Sequence, residues 1–276
     1  MVEKFYIYNK SLDELITFDR SSADYLIDDN GIDWGDISSA LSTINNLDGY
    51  GATLNAVVTG EPRVVKITGW VVGTEAQMKT KKSKLSRMLS PQDDLIIFIP
   101  ISEGSAYHYD LTTKLYQSIQ FDQAYKNNNE KMCKFTFSLA AAYPFFEYEK
   151  SYNITTTTYQ VLNMGSIPVG VEAILIFDSA VTDPVVTIEM TNGRESSLHL
   201  TGEFTAGDSV KINTKYGSKQ LLVNGTRDFS VMDFSYGWLQ MPVSLTSTDY
   251  ATITIPSGTH FSLFRYTESY SSLGDL

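Results

Sequence analysis

Short stretches that alternate apolar and polar residues recur through this chain, and they limit its possible folds more than any other feature. Residues 133–139 (CKFTFSL) show the pattern most clearly, because every second side chain is apolar. Such alternation is typical of β-strands that cover a core with one face. The same reasoning predicts strands at 64–72 and 95–101. A mainly β fold follows, and the 17 tyrosines and 14 phenylalanines agree with it.

One segment, residues 75–89, predicts a helix. Thr74 and Gln77 have the spacing of a capping box, in which each side chain bonds the backbone amide of the other residue, and Pro91 follows the end of the segment. Apolar residues at helical spacing would form the packed stripe: Met78, Leu85, Met88 and Leu89.

The remaining surface of this predicted helix is strongly basic. Its cationic side chains are Lys79, Lys81, Lys82, Lys84 and Arg87. A basic amphipathic helix can bind membranes or calmodulin-like partners, but a solvated or subunit-facing surface is commoner. Residues 1–62 carry a net charge of −8, whereas residues 63–90 carry +6. The sequence therefore predicts two patches of opposite charge within one domain.

The second half of the chain is predicted to be a separate β domain. At 276 residues the chain exceeds the usual single-domain size, so two cores are expected. Polar, threonine-rich sequence near residue 150 indicates the boundary, which assigns 1–150 to one domain and 151–276 to the other. The candidate strands of the second domain are 171–177, 185–190, 197–201, 209–213, 219–223, 229–234, 250–255 and 261–266.

Two Asn-Gly pairs in the second half predict tight turns. Asn192-Gly193 and Asn224-Gly225 each lie between two candidate strands. A type I′ turn needs positive φ at both central positions, which asparagine and glycine tolerate. We therefore expect two antiparallel hairpins, and the strand spacing is typical of a β-sandwich.

No catalytic or metal-binding pattern is recognisable. Catalysis would need a nucleophile, a base and an orienting group, or a metal cluster, at characteristic spacing. The acidic residues 28–36 supply several oxygen ligands, but their positions miss those of an EF-hand loop. The three histidines are far apart in the sequence: His108, His199 and His260. We expect no enzymatic activity, no metal and no cofactor.

Charge and cysteine content bear on location and partners. The net charge of −11 argues against a DNA-binding surface, because such a surface needs clustered lysine and arginine. Cys133 is the only cysteine, so no disulfide can form within the chain, which suits a protein that folds in a reducing cytoplasm. We expect Cys133 to be a small buried side chain. The amino-terminal residues lack the apolar segment of a secretory signal, and no run reaches the roughly 18 apolar residues of a membrane span. We expect cytoplasmic synthesis and no membrane contact.

The tryptophans raise the possibility of sugar binding. Flat aromatic faces stack well against sugar rings, although packing in a core is their more usual role. Trp70 lies in a strand-like segment and is expected in the core or at an interface, whereas Tyr236 and Trp238 lie in the less regular segment FSYGWLQM. These two residues are the candidate glycan contacts. The alternative function is accordingly a carbohydrate-binding module that grips a cell wall.

Three phrases occur in a characteristic order. The first is ITGWVVG at 67–73, followed by the helix and by LIIFIP at 95–100. The second is FSLAAAYPFFEYEK at 137–150, and the third is LTGEFTAGDSVKINTKYGSKQLLVNGT at 200–226, with Gly-Asp, an alternating strand and an Asn-Gly hairpin. Together they resemble the distal tail protein (Dit) family of long-tailed bacteriophages and prophages. One departure is Asn213, where the family tends to have aspartate.

The resemblance implies a fold and a function. The fold would be an amino-terminal β-rich domain that forms a hexameric ring and a carboxyl-terminal, galectin-like β-sandwich outside it. The function would be a structural adaptor at the virion tail tip, which contacts the tail tube, tape-measure and receptor-binding proteins and lets DNA pass without specific binding. The family has no catalytic residues to carry over.

The expected subunit contact combines the two charged patches. A closed ring uses heterologous interfaces, in which one patch of each subunit meets a different patch of the next. The candidate interface residues are Lys79, Lys81, Lys82, Lys84 and Arg87 on one side, and Asp28, Asp29 and Asp33, with Asp24 and Asp36, on the other.

Overall fold

The computed structural model describes residues 4–21, 24–36, 40–45, 52–57, 62–102, 105–122, 125–127, 130–215 and 218–272. The chain divides into two compact units, Met1–Phe146 and Glu147–Leu276. Both are built mainly from β-strands, which confirms the mainly β fold class.

The described part of the first unit contains ten strands and one helix. They are β1 (Lys4–Asn9), β2 (Glu14–Asp19), β3 (Tyr25–Asp33), β4 (Ala40–Asn45), β5 (Ala52–Val57), β6 (Arg63–Gly73), α1 (Glu75–Met88), β7 (Leu95–Pro100), β8 (His108–Phe121), β9 (Tyr125–Asn127) and β10 (Glu130–Ala141). The predicted strands at 64–72, 95–101 and 133–139 thus correspond to β6, β7 and β10.

Seven strands of the first unit close into a barrel. Strand β1 pairs with β2 and β7, β2 pairs in parallel with β3, and β3 and β10 flank β6. The long strand β8 pairs with β7 through its first half and with β10 through its second half. Closure pairs the two edges of the sheet with each other. The buried side chains include Phe5, Ile7, Phe18, Val65, Ile67, Ile97, Leu111, Phe135, Phe137 and Leu139.

Helix α1 has the predicted capping box and buried stripe. The Thr74 side chain accepts from the amide of Gln77, and Gln77 Oε1 accepts from the amide of Thr74 at 2.9 Å. The helix contacts β6, β10 and β2. All four residues of the predicted apolar stripe are buried: Met78, Leu85, Met88 and Leu89.

Strand β3 pairs with β6, and the register of this pairing shifts between Ile27 and Ile32. A Cβ atom on Gly31 would lie 2.2 Å from the carbonyl oxygen of Thr68, so only glycine allows the two backbones to come this close. The shift in register moves Asp28 and Asp29 out of the hydrogen-bonded ladder. Two acidic residues are thereby displayed on the outside of the barrel.

The second unit begins with β11 (Phe146–Ile154), whose first residue is the last residue of the first unit. Its other strands are β12 (Thr158–Val161), β13 (Val169–Phe177), β14 (Val181–Thr182), β15 (Val185–Met190), β16 (Glu195–His199), β17 (Glu203–Phe204), β18 (Ser209–Asn213), β19 (Gln220–Val223), β20 (Thr226–Arg227), β21 (Gln240–Met241), β22 (Ala251–Thr254) and β23 (Thr259–Tyr270). Strand β16 lies two residues earlier than the predicted 197–201.

Two sheets of the second unit share one core. One sheet has the order β20-β19-β18-β13-β23-β11, with β21 also on β13, and the other has the order β12-β22-β15-β16. Buried residues of both sheets belong to a single apolar cluster, as in a β-sandwich. They include Val171, Leu175, Val186, Ile188, Ile253, Phe261 and Phe264.

Both predicted hairpins form, but with different turns. Asn224 and Gly225 both have positive φ, 50° and 81°, as a type I′ turn requires. At Asn192-Gly193 only the glycine has positive φ, 80°. The amide of Gly193 donates to the carbonyl of Met190, whose own amide donates to the carbonyl of Arg194. This pattern is a three-residue loop that ends in a left-handed glycine, and the predicted type I′ turn is therefore wrong at this position.

The predicted strand at 229–234 is wrong. Asp228 and Asp233 each accept a hydrogen bond from the backbone amide two residues later, which folds the segment into turns. Such local bonds compete with a β ladder. One isolated bridge remains, between Leu200 and Met232.

Candidate subunit-interface surface

Lys81 of the basic helix binds within its own chain. Its Nζ lies 3.0 Å from Asp24 Oδ1 and donates to the carbonyl of Val72 at 2.6 Å. The Tyr25 hydroxyl donates to the Lys81 carbonyl at 2.9 Å. Burial, together with the nearby Asp24 carboxylate, raises the pKa of Tyr25 to about 12, so this hydroxyl remains a donor at neutral pH. Through Lys81, the helix is therefore joined to Tyr25 of β3 and to Asp24, the residue that precedes β3.

Arg87 also has a partner within the chain. Its Nη2 donates to both carboxylate oxygens of Glu14 in β2, at 2.6 and 2.7 Å. Both side chains are substantially exposed, 58% and 36%. An exposed pair of this kind contributes roughly 0–1 kcal/mol. Glu14 was not among the acidic partners predicted from the sequence.

The predicted acidic residues have partners outside the helix. Asp28 lies 3.4 Å from Lys134 of β10. The Arg20 side chain donates to the carbonyl of Asp29 at 2.9 Å and lies 4.0 Å from its carboxylate. Asp33 accepts from a backbone amide two residues later. The structure thus brings Lys81 to Asp24, but it does not bring the helix to Asp28, Asp29 or Asp33 of the same chain.

Three helix lysines lie on the outer side of α1. Lys79 and Lys84 are exposed, and Lys82 is half-buried with its Nζ 5.1 Å from the centroid of the Phe121 ring. A cation over an aromatic face keeps its charge while its stem packs. The outward basic surface of α1 therefore consists of Lys79, Lys82 and Lys84.

The sequence analysis overlooked a buried arginine in the same unit. Arg63 is 2% exposed, and its guanidinium lies 4.6 Å from the centroid of the Phe146 ring. Burial lowers the pKa of Arg63, although the charge of Asp36 acts in the opposite direction. The alternation of β6 puts Arg63 in the same phase as Val65 and Ile67, and this signal could have identified it as an inward-facing residue.

The candidate glycan contacts lie in the second unit. Tyr236 is 55% exposed, and its ring stacks on His199 with a centroid distance of 3.5 Å and an interplanar angle of 12°. Trp238 is half-buried, with its ring in edge contact with Phe234 and with Lys219 Nζ 5.6 Å from its centroid. The two predicted residues belong to one surface region, in which Tyr236 is the more open.

The described residues give no geometry for catalysis by the histidines. His108 and His260 each lie beside one aspartate, Asp110 at 3.1 Å and Asp178 at 2.9 Å. Within the described ranges there is no group of three His, Cys, Asp or Glu residues that could hold a metal ion. The helix among the described residues, α1, is neither long nor apolar enough to span a membrane.

Residues 165–270 match the model of a family described as the siphovirus-type tail component, C-terminal domain. The matched range falls within the second unit. The second unit therefore carries a domain of this family. A comparison with curated proteins finds no match to the chain.

One solved structure agrees with this chain in fold along nearly its whole length. The Dit protein of phage SPP1, described as a paradigm of the hub adsorption apparatus in phages that infect Gram-positive bacteria, aligns with a TM-score of 0.61 and 12% identity over 96% of this chain and 99% of that chain. A chain of the phage P2 baseplate, in its activated conformation with Ca, aligns with a TM-score of 0.42 and 10% identity over 99% of this chain and 100% of that chain. The chain thus has the fold of the SPP1 Dit protein.

Proposed function

We propose that the chain assembles into a hexameric ring at the tip of the virion tail, where it connects the tail tube to the distal adsorption apparatus. The observation that supports this most is the agreement in fold with the SPP1 Dit protein over 96% of this chain and 99% of that one. The chain would be synthesised in the host cytoplasm and would contact tail tube, tape-measure and receptor-binding proteins. Its role would be structural, without enzymatic activity.

The solution mass of the purified full chain tests this proposal. A hexamer of 30.8 kDa chains would have a mass of about 185 kDa by light scattering, six times that of the monomer. Assembly by mass action requires measurement over a range of protein concentrations. A mass that stays at 30.8 kDa at the highest concentration would contradict the ring.

Residues 1–150 are the proposed ring-forming part, and the second domain is the proposed outer sandwich. The barrel supports this division, because its strands close on one another around their own buried side chains. A fragment of residues 1–150 should therefore form the same oligomer as the full chain. Recovery of well-folded monomers alone would count against this division of roles.

The proposed contact between neighbouring subunits uses the outward lysines of α1. Lys79, Lys82 and Lys84 form the basic patch, and the exposed Asp29 and Asp33 form the acidic one. Lys81 and Arg87 contribute less, because their charges already have partners within the chain. Exposed ion pairs contribute roughly 0–1 kcal/mol each, so these charges would set register and association rate, while apolar contacts supply most of the affinity.

Charge reversal tests this contact. The double variant Lys79→Glu with Lys84→Glu should assemble more slowly than the wild type at low salt, because like charges then face each other. Adding Asp29→Lys and Asp33→Lys should partly restore the rate. The matched control reverses two exposed cations elsewhere in the first unit, Lys10→Glu and Lys114→Glu, with the same change in net charge. Equal assembly rates for the helix variant and the control would contradict the proposed contact.

A further inference from the structure

Residues 229–237 follow the edge of the sheet that contains β16. The amide of Asp233 donates to the carbonyl of His199 at 3.0 Å, and the amide of Thr201 donates to the carbonyl of Val231 at 2.7 Å. Met232 forms an isolated β-bridge with Leu200, which lies between His199 and Thr201. The backbone of this segment is therefore held in place by the sheet, although it is not a strand.

The end of this segment is a tight turn that presents two aromatic rings. Asp233 Oδ1 accepts from the amide of Ser235 at 2.9 Å, and Gly237 follows with a φ of 80° and donates to the carbonyl of Phe234 at 3.3 Å. Phe234 is 56% exposed and Tyr236 is 55% exposed. Two neighbouring aromatic side chains that are this open on an ordered turn form a candidate contact surface.

The orientation of Tyr236 is fixed by His199. The two rings are parallel within 12°, with centroids 3.5 Å apart, so His199 covers one face of the tyrosine. The opposite face is the one available to solvent. A ring whose position is fixed in advance loses little conformational entropy when a ligand covers its free face.

Trp238 and Phe229 support the turn from behind. Trp238 meets Phe229 and Phe234 edge to face, with centroids 6.0 and 6.3 Å apart. Lys219 Nζ lies 5.6 Å over the Trp238 ring. Trp238 is therefore a covered supporting ring, and the open platform consists of Phe234 and Tyr236.

Polar and charged groups alternate with these rings. Hydrogen bonds from the hydroxyl and the amide of Ser235 lower the pKa of Asp233, so its carboxylate is ionised at neutral pH. Lys219 and Arg227 lie over ring faces of the same cluster. Aromatic residues and arginine are enriched in protein–protein interfaces, but lysine, aspartate and serine, which surround these rings, are depleted there and favour a ligand rich in hydroxyl groups. A nucleic acid is disfavoured by the net charge of −11.

We propose that Phe234 and Tyr236 form a stacking platform for the sugar rings of a surface polysaccharide, with Asp233 accepting hydrogen bonds from sugar hydroxyls. One face of a pyranose carries electron-poor C–H groups that lie well on the negative face of an aromatic ring, and its hydroxyls require polar partners at the rim. This sugar-binding role goes beyond ring assembly and does not depend on it.

Binding to defined oligosaccharides tests the platform. The full chain is applied to immobilised oligomers of glucose, galactose, rhamnose, N-acetylglucosamine and N-acetylgalactosamine, and the best of these is then titrated in solution. Tyr236→Ala should weaken binding roughly five- to tenfold, as expected for loss of one aromatic stack, whereas Tyr236→Phe should bind like the wild type. The matched control is Tyr116→Ala, which removes a 60% exposed tyrosine from the first unit and should leave binding unchanged.

Two further variants separate stacking from loss of the turn. Asp233→Asn keeps one oxygen that can accept from Ser235 and replaces the other carboxylate oxygen with an amide nitrogen. The change removes the negative charge and one acceptor for sugar hydroxyls, so binding should weaken while the thermal midpoint is retained. Phe234→Ala tests the second ring if Tyr236→Ala unfolds. The proposal is overturned if the wild-type chain binds no oligosaccharide up to millimolar concentration, if Tyr236→Ala binds as tightly as the wild type, or if the variants impair only the capture of another tail protein. The solution mass of the same samples reports ring assembly separately.

Discussion

Removal of Arg265 should destabilise the second unit, because a buried carboxylate depends on it. Glu172 of β13 lies directly opposite Arg265 of β23. Nε and Nη2 of Arg265 donate to Oε2 of Glu172 at 3.0 and 2.6 Å, and Lys211 Nζ lies 3.1 Å from Oε1. Only 7% of Glu172 is exposed, so water can replace these partners only in part.

The expected loss of unfolding free energy lies between the loss for a buried ion pair and the loss for an exposed ion pair. Breaking a buried pair costs about 3–5 kcal/mol, whereas exposed pairs contribute about 0–1 kcal/mol. The Arg265 side chain is 34% exposed and Lys211 remains in place, so solvent and the lysine recover part of the loss. We expect Arg265→Met to lower the free energy of unfolding by about 1.5–3 kcal/mol at pH 7.

The effect should depend on pH. Burial by itself raises the pKa of Glu172, but the hydrogen bonds from Arg265 and Lys211 together outweigh it, so that the pKa is lower than in an unfolded chain. A group with a lowered pKa stabilises the fold above its unfolded pKa and loses this contribution as the pH falls through the folded value. The wild type should therefore lose stability below about pH 4, and the gap between it and Arg265→Met should narrow there.

Urea unfolding of the full chain, followed by circular dichroism at neutral and acidic pH, measures the loss of unfolding free energy in Arg265→Met and its change with pH. Lys211→Met is the control, because this lysine is 40% exposed and makes one contact, so its loss should cost no more than about 1 kcal/mol. A double-mutant cycle with Glu172→Gln isolates the interaction energy between Arg265 and Glu172. The reasoning fails if Arg265→Met unfolds within about 0.5 kcal/mol of the wild type at pH 7, or if the gap is constant down to acidic pH.

Three further outcomes are expected. Leu85→Ala in the buried face of α1 should lower the free energy of urea unfolding by about 2–4 kcal/mol, whereas the exposed neighbour Lys84→Ala should change it by less than about 0.5 kcal/mol. Gly225→Ala should cost about 1 kcal/mol in the same assay, because the glycine has a φ of 81°. Purified protein should not retard duplex DNA at physiological salt, since a net charge of −11 repels phosphates over about 10 Å; tight, salt-sensitive binding would contradict this.

The elements that the sequence predicted well are those whose causes are local. The capping box of Thr74 and Gln77 involves residues three positions apart, and both of its hydrogen bonds form. Asn224 and Gly225 supply the positive φ angles of their own turn. Alternation predicted β6, β7 and β10 of the first unit and seven strands of the second, because it depends only on which face of a strand meets a core.

The failure at 229–234 also has a local cause. The segment has partly alternating apolar residues, but Asp228 and Asp233 bond nearby amides and hold the chain in turns. Strand formation and turn formation compete in this segment. The segment forms turns, and only Met232 pairs with the neighbouring sheet, through one isolated bridge.

For the candidate interface, the sequence predicted the charged patches but not their partners. Lysine and arginine at helical spacing were sufficient to predict a basic surface on α1. Arg87 nevertheless bonds Glu14, 73 positions away, and Lys81 bonds Asp24. Exposed ion pairs contribute too little to select partners by themselves, so the packing of α1 against β2 and β6 decides which charges meet.

The sequence by itself determined the helix, the hairpin at Asn224 and the strands with clear alternation such as β6 and β10, because these follow from the stereochemistry of neighbouring residues. Tertiary structure alone decided that β8 would pair with both β7 and β10 to close a barrel, and that Glu172, outward in phase, would be buried under Arg265. Both results depend on strands that are far apart in sequence. Such contacts depend on how the whole sheet twists and closes, which no local pattern of residues encodes.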